Sequence, residues 1–86
     1  MTSSERRTWE TKLMRAAAAG GPGPDLSVAE RAAVTFLRSN DPELDLHSAT
    51  ILAELVAADV PAEDRVGFTQ MWMCELRGAL RRGPQP

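Results

Sequence analysis

Residues 66–80, VGFTQMWMCELRGAL, decide how the rest of the chain is read. Phe68, Trp72, Leu76 and Leu80 recur every four residues, so they share one face of a helix. Val66, Met71, Met73 and Ala79 widen the apolar surface well beyond a normal stripe. A helix apolar on more than one side either sits at the centre of a core or keeps a second face for a partner. Working outward, Asp59-Val60-Pro61 marks a boundary before this helix, and Glu63 and Asp64 suit its positive end. Arg77, Arg81 and Arg82 fall in its last turns, where cations complement the carbonyl end. The spacing predicts a helix over 62–82 and a short tail over 83–86.

Upstream, Asp41 followed by Pro42 reads as an N-cap and first helical residue. Leu44, Leu46, Ile51, Leu52, Leu55, Val56 and Val60 supply apolar positions through a third helix, expected over 42–59. Ser27 and Glu30 form a capping box that opens a helix over 28–39, lined by Ala29, Ala32, Ala33, Phe36 and Leu37. Thr2 and Glu5 have the same spacing and predict a first helix over 4–19, with Trp9, Leu13, Ala16 and Ala17 on a narrow apolar face. The Gly/Pro segment over 20–26 sets that helix off as a hinge or loop. Free to swing, the first helix is the element expected to lean on another chain. No strand pattern or internal repeat competes. The expected fold is all-α, about four helices in one small orthogonal or irregular bundle spanning 1–86.

A chain of 86 residues has room for one domain and a marginal core, which a partner often supplements. Cys74 stands alone, so no disulfide forms within the chain, and it is expected to act as a small buried hydrophobe. The net charge of −2 indicates no partner by itself. Its distribution says more: from Asp41 to Asp64 there are seven acids and no Lys or Arg. That acidic middle disfavours binding to a phosphate backbone. A helix-turn-helix reading fails for the same reason, since its recognition helix needs Arg, Lys, Gln or Asn for base edges. Arg outnumbers Lys and Ala is abundant, a habit of composition expected of a GC-rich bacterial genome. Neither a signal-peptide pattern nor a run of the roughly 20 apolar residues that span a membrane is present. The expected location is cytoplasmic, with no nucleic-acid or membrane partner.

No metal-ligand spacing, phosphate loop or nucleotide fingerprint occurs. His47 is the single histidine; its neighbours Asp45 and Ser48 do not share its helix face, so a surface or capping role outweighs catalysis. The run DLHSATILAEL around Ser48 resembles the phosphopantetheine-bearing serine of carrier proteins, but with His-Ser-Ala in place of Asp-Ser-Leu. Trp9, Leu13, Phe68, Met71, Trp72 and Met73 are the candidate partner-binding residues, core packing being the competing reading. No cofactor or metal is expected on this chain.

Two stretches together resemble the helical domain shared by nitrile hydratase β subunits and their small activator proteins. Trp9-Glu10 in TWETKLMRAAAA matches the Trp-Glu pair opening that family's first helix. Phe68-Thr69 stands where the family has two tyrosines, with Trp72, Leu76, Leu80 and Gly83 following. The resemblance implies a non-metal-binding subunit or activator. It would cover a cobalt or iron ion that a partner α subunit holds in a cysteine cluster, where the metal acts as a Lewis acid in converting nitrile to amide. The β-barrel of a full β subunit would then be a separate chain. Arg38 becomes a candidate contact to oxidised cysteines of the partner. The alternative is a stand-alone helical adaptor or regulator with no enzyme attached.

Overall fold

The helix-start signals work as local chemistry requires. A computed structural model of the chain describes residues 1–21 and 25–83. Helix α1 runs Ser3–Ala18, α2 Val28–Arg38 and α3 Pro42–Val56; a 3-10 turn at Ala62–Asp64 leads into α4, Arg65–Arg82. Thr2 and Glu5, and again Ser27 and Glu30, exchange both bonds of a capping box. Asp41 accepts from the Glu43 amide ahead of Pro42. Pro22, Gly23 and Pro24 of the expected loop, and Pro84 to Pro86 of the tail, lie outside the described residues. No strand occurs among the described residues, and the fold is a small irregular all-α bundle.

Two boundaries differ from expectation by more than one residue. The predicted start of the last helix at 62 is a 3-10 turn, and the α-helix proper begins at Arg65. The third helix ends at Val56 rather than 59. Pro61 disfavours helical geometry in the residue before it, and turning early lets Asp59 meet Arg6.

The core takes Leu13 and Ala17 from α1 and Val34, Phe36 and Leu37 from α2. From α3 it takes Leu52 and Val56, and from α4 Trp72, Met73 and Leu76. Ala33, Ala49 and Ala53, all buried, let neighbouring helices approach closely. Of the two readings open for residues 66–80, a central position in the core is the one the burial supports: Thr69, Trp72, Met73 and Leu76 form α4's inner face.

Helix α1 is not a swinging arm. Leu13 and Ala17 are buried against the other helices, Glu10 accepts from the Trp72 indole at 2.8 Å, and Lys12 pairs with Glu30 at 2.6 Å. At its far end the chain closes in a Schellman turn. Gly21 donates to Ala16 O and Gly20 to Ala17 O, with Gly20 at φ 111°. The glycines therefore stop the helix and fix its exit, where the sequence had implied a free hinge.

A helix leaves its last four carbonyls without intrahelical donors. In this bundle arginines from distant elements take them. Arg38 donates to Ala17 O of α1 at 2.9 Å. Arg77 reaches from α4 to Phe36 O and Ser39 O at the end of α2, and to Asp45 at 2.7 Å. Arg81 adds bonds to Ser39 O and to the Asn40 side chain. Arg6 donates to Val56 O at 2.8 Å and grips Asp59 through both carboxylate oxygens, at 2.7 and 3.0 Å. Arg65 holds Ala58 O and Val60 O just beyond α3 and pairs with Glu54. The guanidinium groups of Arg6 and Arg77 also lie 4.8 Å over the rings of Phe68 and Phe36. The excess of arginine over lysine is thus structural at these five positions and more than a compositional habit. A lysine ammonium lacks the planar fork that spans several acceptors.

Replacing Arg6 by Ala is expected to lower the unfolding free energy by about 2 kcal/mol, below the range for fully buried pairs because water screens part of Asp59. Arg6→Lys should recover less than half of the loss. Urea denaturation followed by circular dichroism checks both, and an unchanged midpoint in Arg6→Ala would show that the clamp contributes nothing.

Candidate functional site

The residues singled out for partner binding fall mostly inside the molecule. Leu13 and Met73 are 0 % exposed and Trp72 is 8 % exposed, so no partner reaches them without opening the core. Trp9 and Phe68 are half-buried and packed against that core, Phe68 beneath Arg6. Met71 alone of the six stands out, at 59 % exposed. The expected Met-Trp surface is therefore an inner face with one outlying methionine. The reason is spacing: positions 69, 72, 73 and 76 point one way, and Met71 lies on the far side of the helix.

Other candidates also land in places their sequence context did not fix. Cys74, expected to be buried, is exposed; it follows Met73 and so turns away from the inner face. Its sulfur accepts from Arg77 at 3.5 Å. His47 is exposed on α3. Ser48 is 3 % exposed, which excludes the carrier-protein reading, since a serine carrying a prosthetic arm must reach solvent. Arg38 is exposed, but its guanidinium caps α1 through Ala17 O.

The acids with shifted titration are each held by a neighbour within the bundle. Lys12 beside Glu30, together with the capping bonds from Ser27, pulls the Glu30 carboxyl down to about 2. Arg6 holds the Asp59 carboxyl below its ordinary range, and the Thr2 amide does the same for Glu5. These shifts move the acids away from neutrality, the opposite of what a general acid or base at physiological pH needs. Among the described residues no three His, Cys, Asp or Glu side chains stand close enough to hold a metal ion. No helix among the described residues is long and apolar enough to cross a membrane.

The surface of the described residues includes two depressions of note. A cleft of about 390 Å³ between the C-terminal ends of α1 and α4 is lined by Met14, Ala18, Ala79, Leu80 and Gly83. A shallower one of about 290 Å³ is lined by Thr35, Arg38, Ser39 and Leu44 where α2 passes into α3. The second borders the more distinctive feature. Helix α3 leaves four bulky aliphatic side chains in solvent: Leu44 at 38 %, Leu46 at 49 %, Ile51 at 51 % and Leu55 at 45 %. Leu44, Ile51 and Leu55, spaced by seven and four residues, share one side of the helix. Single exposed leucines are ordinary; three in register on one helix, with a fourth on the other flank, mark a surface that prefers cover.

Sequence reading counted all four among the apolar positions of α3 without separating them from its buried side. The signal lay in angle rather than number. Two residues apart, Leu44 and Leu46 stand about 160° from each other around the helix, too wide for one stripe, so at least one had to lie outside.

Compared with known protein families, curated proteins and solved structures, the chain matches none. What the geometry defines is a helical bundle with ion pairs inside and an aliphatic face outside.

Acid should dissolve one of those ion pairs in a defined window. The folded-state pKa of Glu30 lies below its ordinary value of 4.5, so its contribution is complete above that pH and is lost as pH falls toward about 2. Glu30→Gln can keep the capping box but not the charge attraction to Lys12. Its stability is expected to fall less steeply than that of the unaltered chain over this window. Denaturation midpoints measured from pH 5 down to pH 2 check it, and parallel profiles would reject the assignment.

Proposed function

We propose that this chain is a cytoplasmic helical protein-binding module, without catalysis of its own, that docks a partner protein on the exposed side of α3. The observation that carries this reading is the aliphatic row of Leu44, Ile51 and Leu55, with Leu46 on the opposite flank. Burying such side chains contributes about 1.5–3 kcal/mol each when cover is complete, and their partial exposure leaves roughly half of that for a partner to recover. The acids Glu30, Asp45 and Asp59 are engaged in ion pairs within the bundle.

The hydratase-type assembly, with a cobalt- or iron-bearing α subunit and a separate β-barrel chain, rests on the sequence resemblance. The residues behind that resemblance have internal work: Glu10 accepts from Trp72, and Arg38 caps α1. The adaptor reading accounts for a feature of the surface itself and is preferred.

The test compares tagged copies of the chain purified from the host: unaltered, Ile51→Glu/Leu55→Glu, and Met71→Glu as a control. Each exposed-site change should cost under about 1 kcal/mol of stability, so all three should remain folded. A partner retained by the unaltered chain and by Met71→Glu, but lost from the double variant, supports docking on α3. The same proteins on all three copies, or none, would overturn it. A retained cobalt or iron subunit with a cysteine cluster would establish the hydratase-type assembly instead.

A further inference from the structure

The aliphatic row on α3 runs through the most acidic part of the chain. From Asp41 to Asp64 there are seven acids and no lysine or arginine. Asp45 is buried against Arg77, and Asp59 is held by Arg6. The acids left at the surface are Asp41 and Glu43 at one end of α3, Glu54 beside Leu55, and Glu63 and Asp64 beyond its other end. At least three cations border the region, and each is committed. The Met1 ammonium donates to Leu55 O at 2.7 Å. Arg38, next to Leu44, caps α1, and Arg65 bonds Val60 O while pairing with Glu54. Glu54 keeps 77 % of its side chain exposed despite that pair. The apolar row therefore lies within a rim of negative charge.

We infer that the occupant of this face is a basic amphipathic helix of a partner protein, its aliphatic side against Leu44, Ile51 and Leu55 and its lysines or arginines over the acidic rim. This inference rests on the docking role proposed for α3 and adds the chemistry of the partner. Helix α3, 15 residues long, spans about 22 Å at 1.5 Å per residue, enough for four turns of a partner to lie along it. A second copy of this chain fits poorly. A two-fold contact through α3 would bring Glu43 and Glu54 of one copy toward those of the other, and like charges across an interface oppose association. An anionic membrane surface is repelled for the same reason.

The test uses two fluorescein-labelled synthetic helices of about 18 residues. Both carry the same leucine stripe, one with lysine and the other with glutamate at every remaining position. Anisotropy titrations against the full chain are run at about 50 and 300 mM salt, which brackets the range where exposed charges become screened. The lysine peptide should bind at least about tenfold more tightly than the glutamate peptide at low salt, and the gap should narrow at high salt. Ile51→Glu/Leu55→Glu should weaken the lysine peptide at least about tenfold, although the variant is more acidic. An attachment made by charge alone would tighten in that variant, and this result would overturn the inference.

The remaining outcomes separate the two proposals. Equal binding of both peptides, lost in the double variant, would overturn the basic partner and leave α3 as the docking face. Binding of neither peptide, or binding that ignores Ile51 and Leu55, would overturn the basic helix and count against the face as well. Sedimentation showing a dimer of the full chain that the double variant cannot form would overturn the inference in favour of self-association.

Discussion

The bundle depends on arginine side chains accepting the task of ending helices. Three helices finish against neighbouring protein, where stray carbonyls meet little water. Glycine at the exit is the usual remedy and serves α1 through Gly20, but α2 ends on Ser39 and α3 on Ala57. At those ends the donors come from far along the chain: Arg77 for α2, Arg6 and Arg65 for α3. Each bond does two things at once, satisfying a carbonyl and tying one element to another. The small apolar core can then be modest, because its edges are fixed by directional contacts that oil-like packing does not supply.

Local chemistry was readable in the residues themselves. Thr2 with Glu5, Ser27 with Glu30, and Asp41 with Pro42 each announce a helix start through groups no more than three residues apart, and each start lies where they place it. Long-range chemistry was not. The partners of Arg6 and Arg77 stand 53 and 32 residues away, and nothing in the neighbourhood of either arginine names Asp59 or Asp45. The aromatic-rich last helix shows the intermediate case. Its periodicity announced a core element, but the width of its apolar surface left open whether Met73 faced inward, and Cys74 turned out to follow the outer side.

Helix α3 illustrates how an apolar surplus differs from a core. Its inner side is largely small or polar, with Ser48, Ala49, Ala53 and the buried Asp45 beside Leu52 and Val56. Bulk was placed outward instead, in Leu44, Leu46, Ile51 and Leu55. A helix serving only its own bundle gains more from the reverse arrangement. The small inner residues bring α3 close to its neighbours, while the large outer ones remain available, and this inversion is what separates the interaction reading from a merely imperfect core.

The long reach of the Arg6 clamp also sets an order of events during synthesis. Helix α1 leaves the ribosome before any of its tertiary partners exist. Val56 and Asp59 follow some fifty residues later, and the indole that bonds Glu10 comes 62 residues after it. Translation at about 5–20 residues per second leaves Arg6 and Glu10 without these partners for several seconds. The mean hydropathy of α1 is low and its apolar face narrow, so it can wait in water as a largely polar segment. Of the four helices, the one made earliest is the least harmed by having nothing to hold.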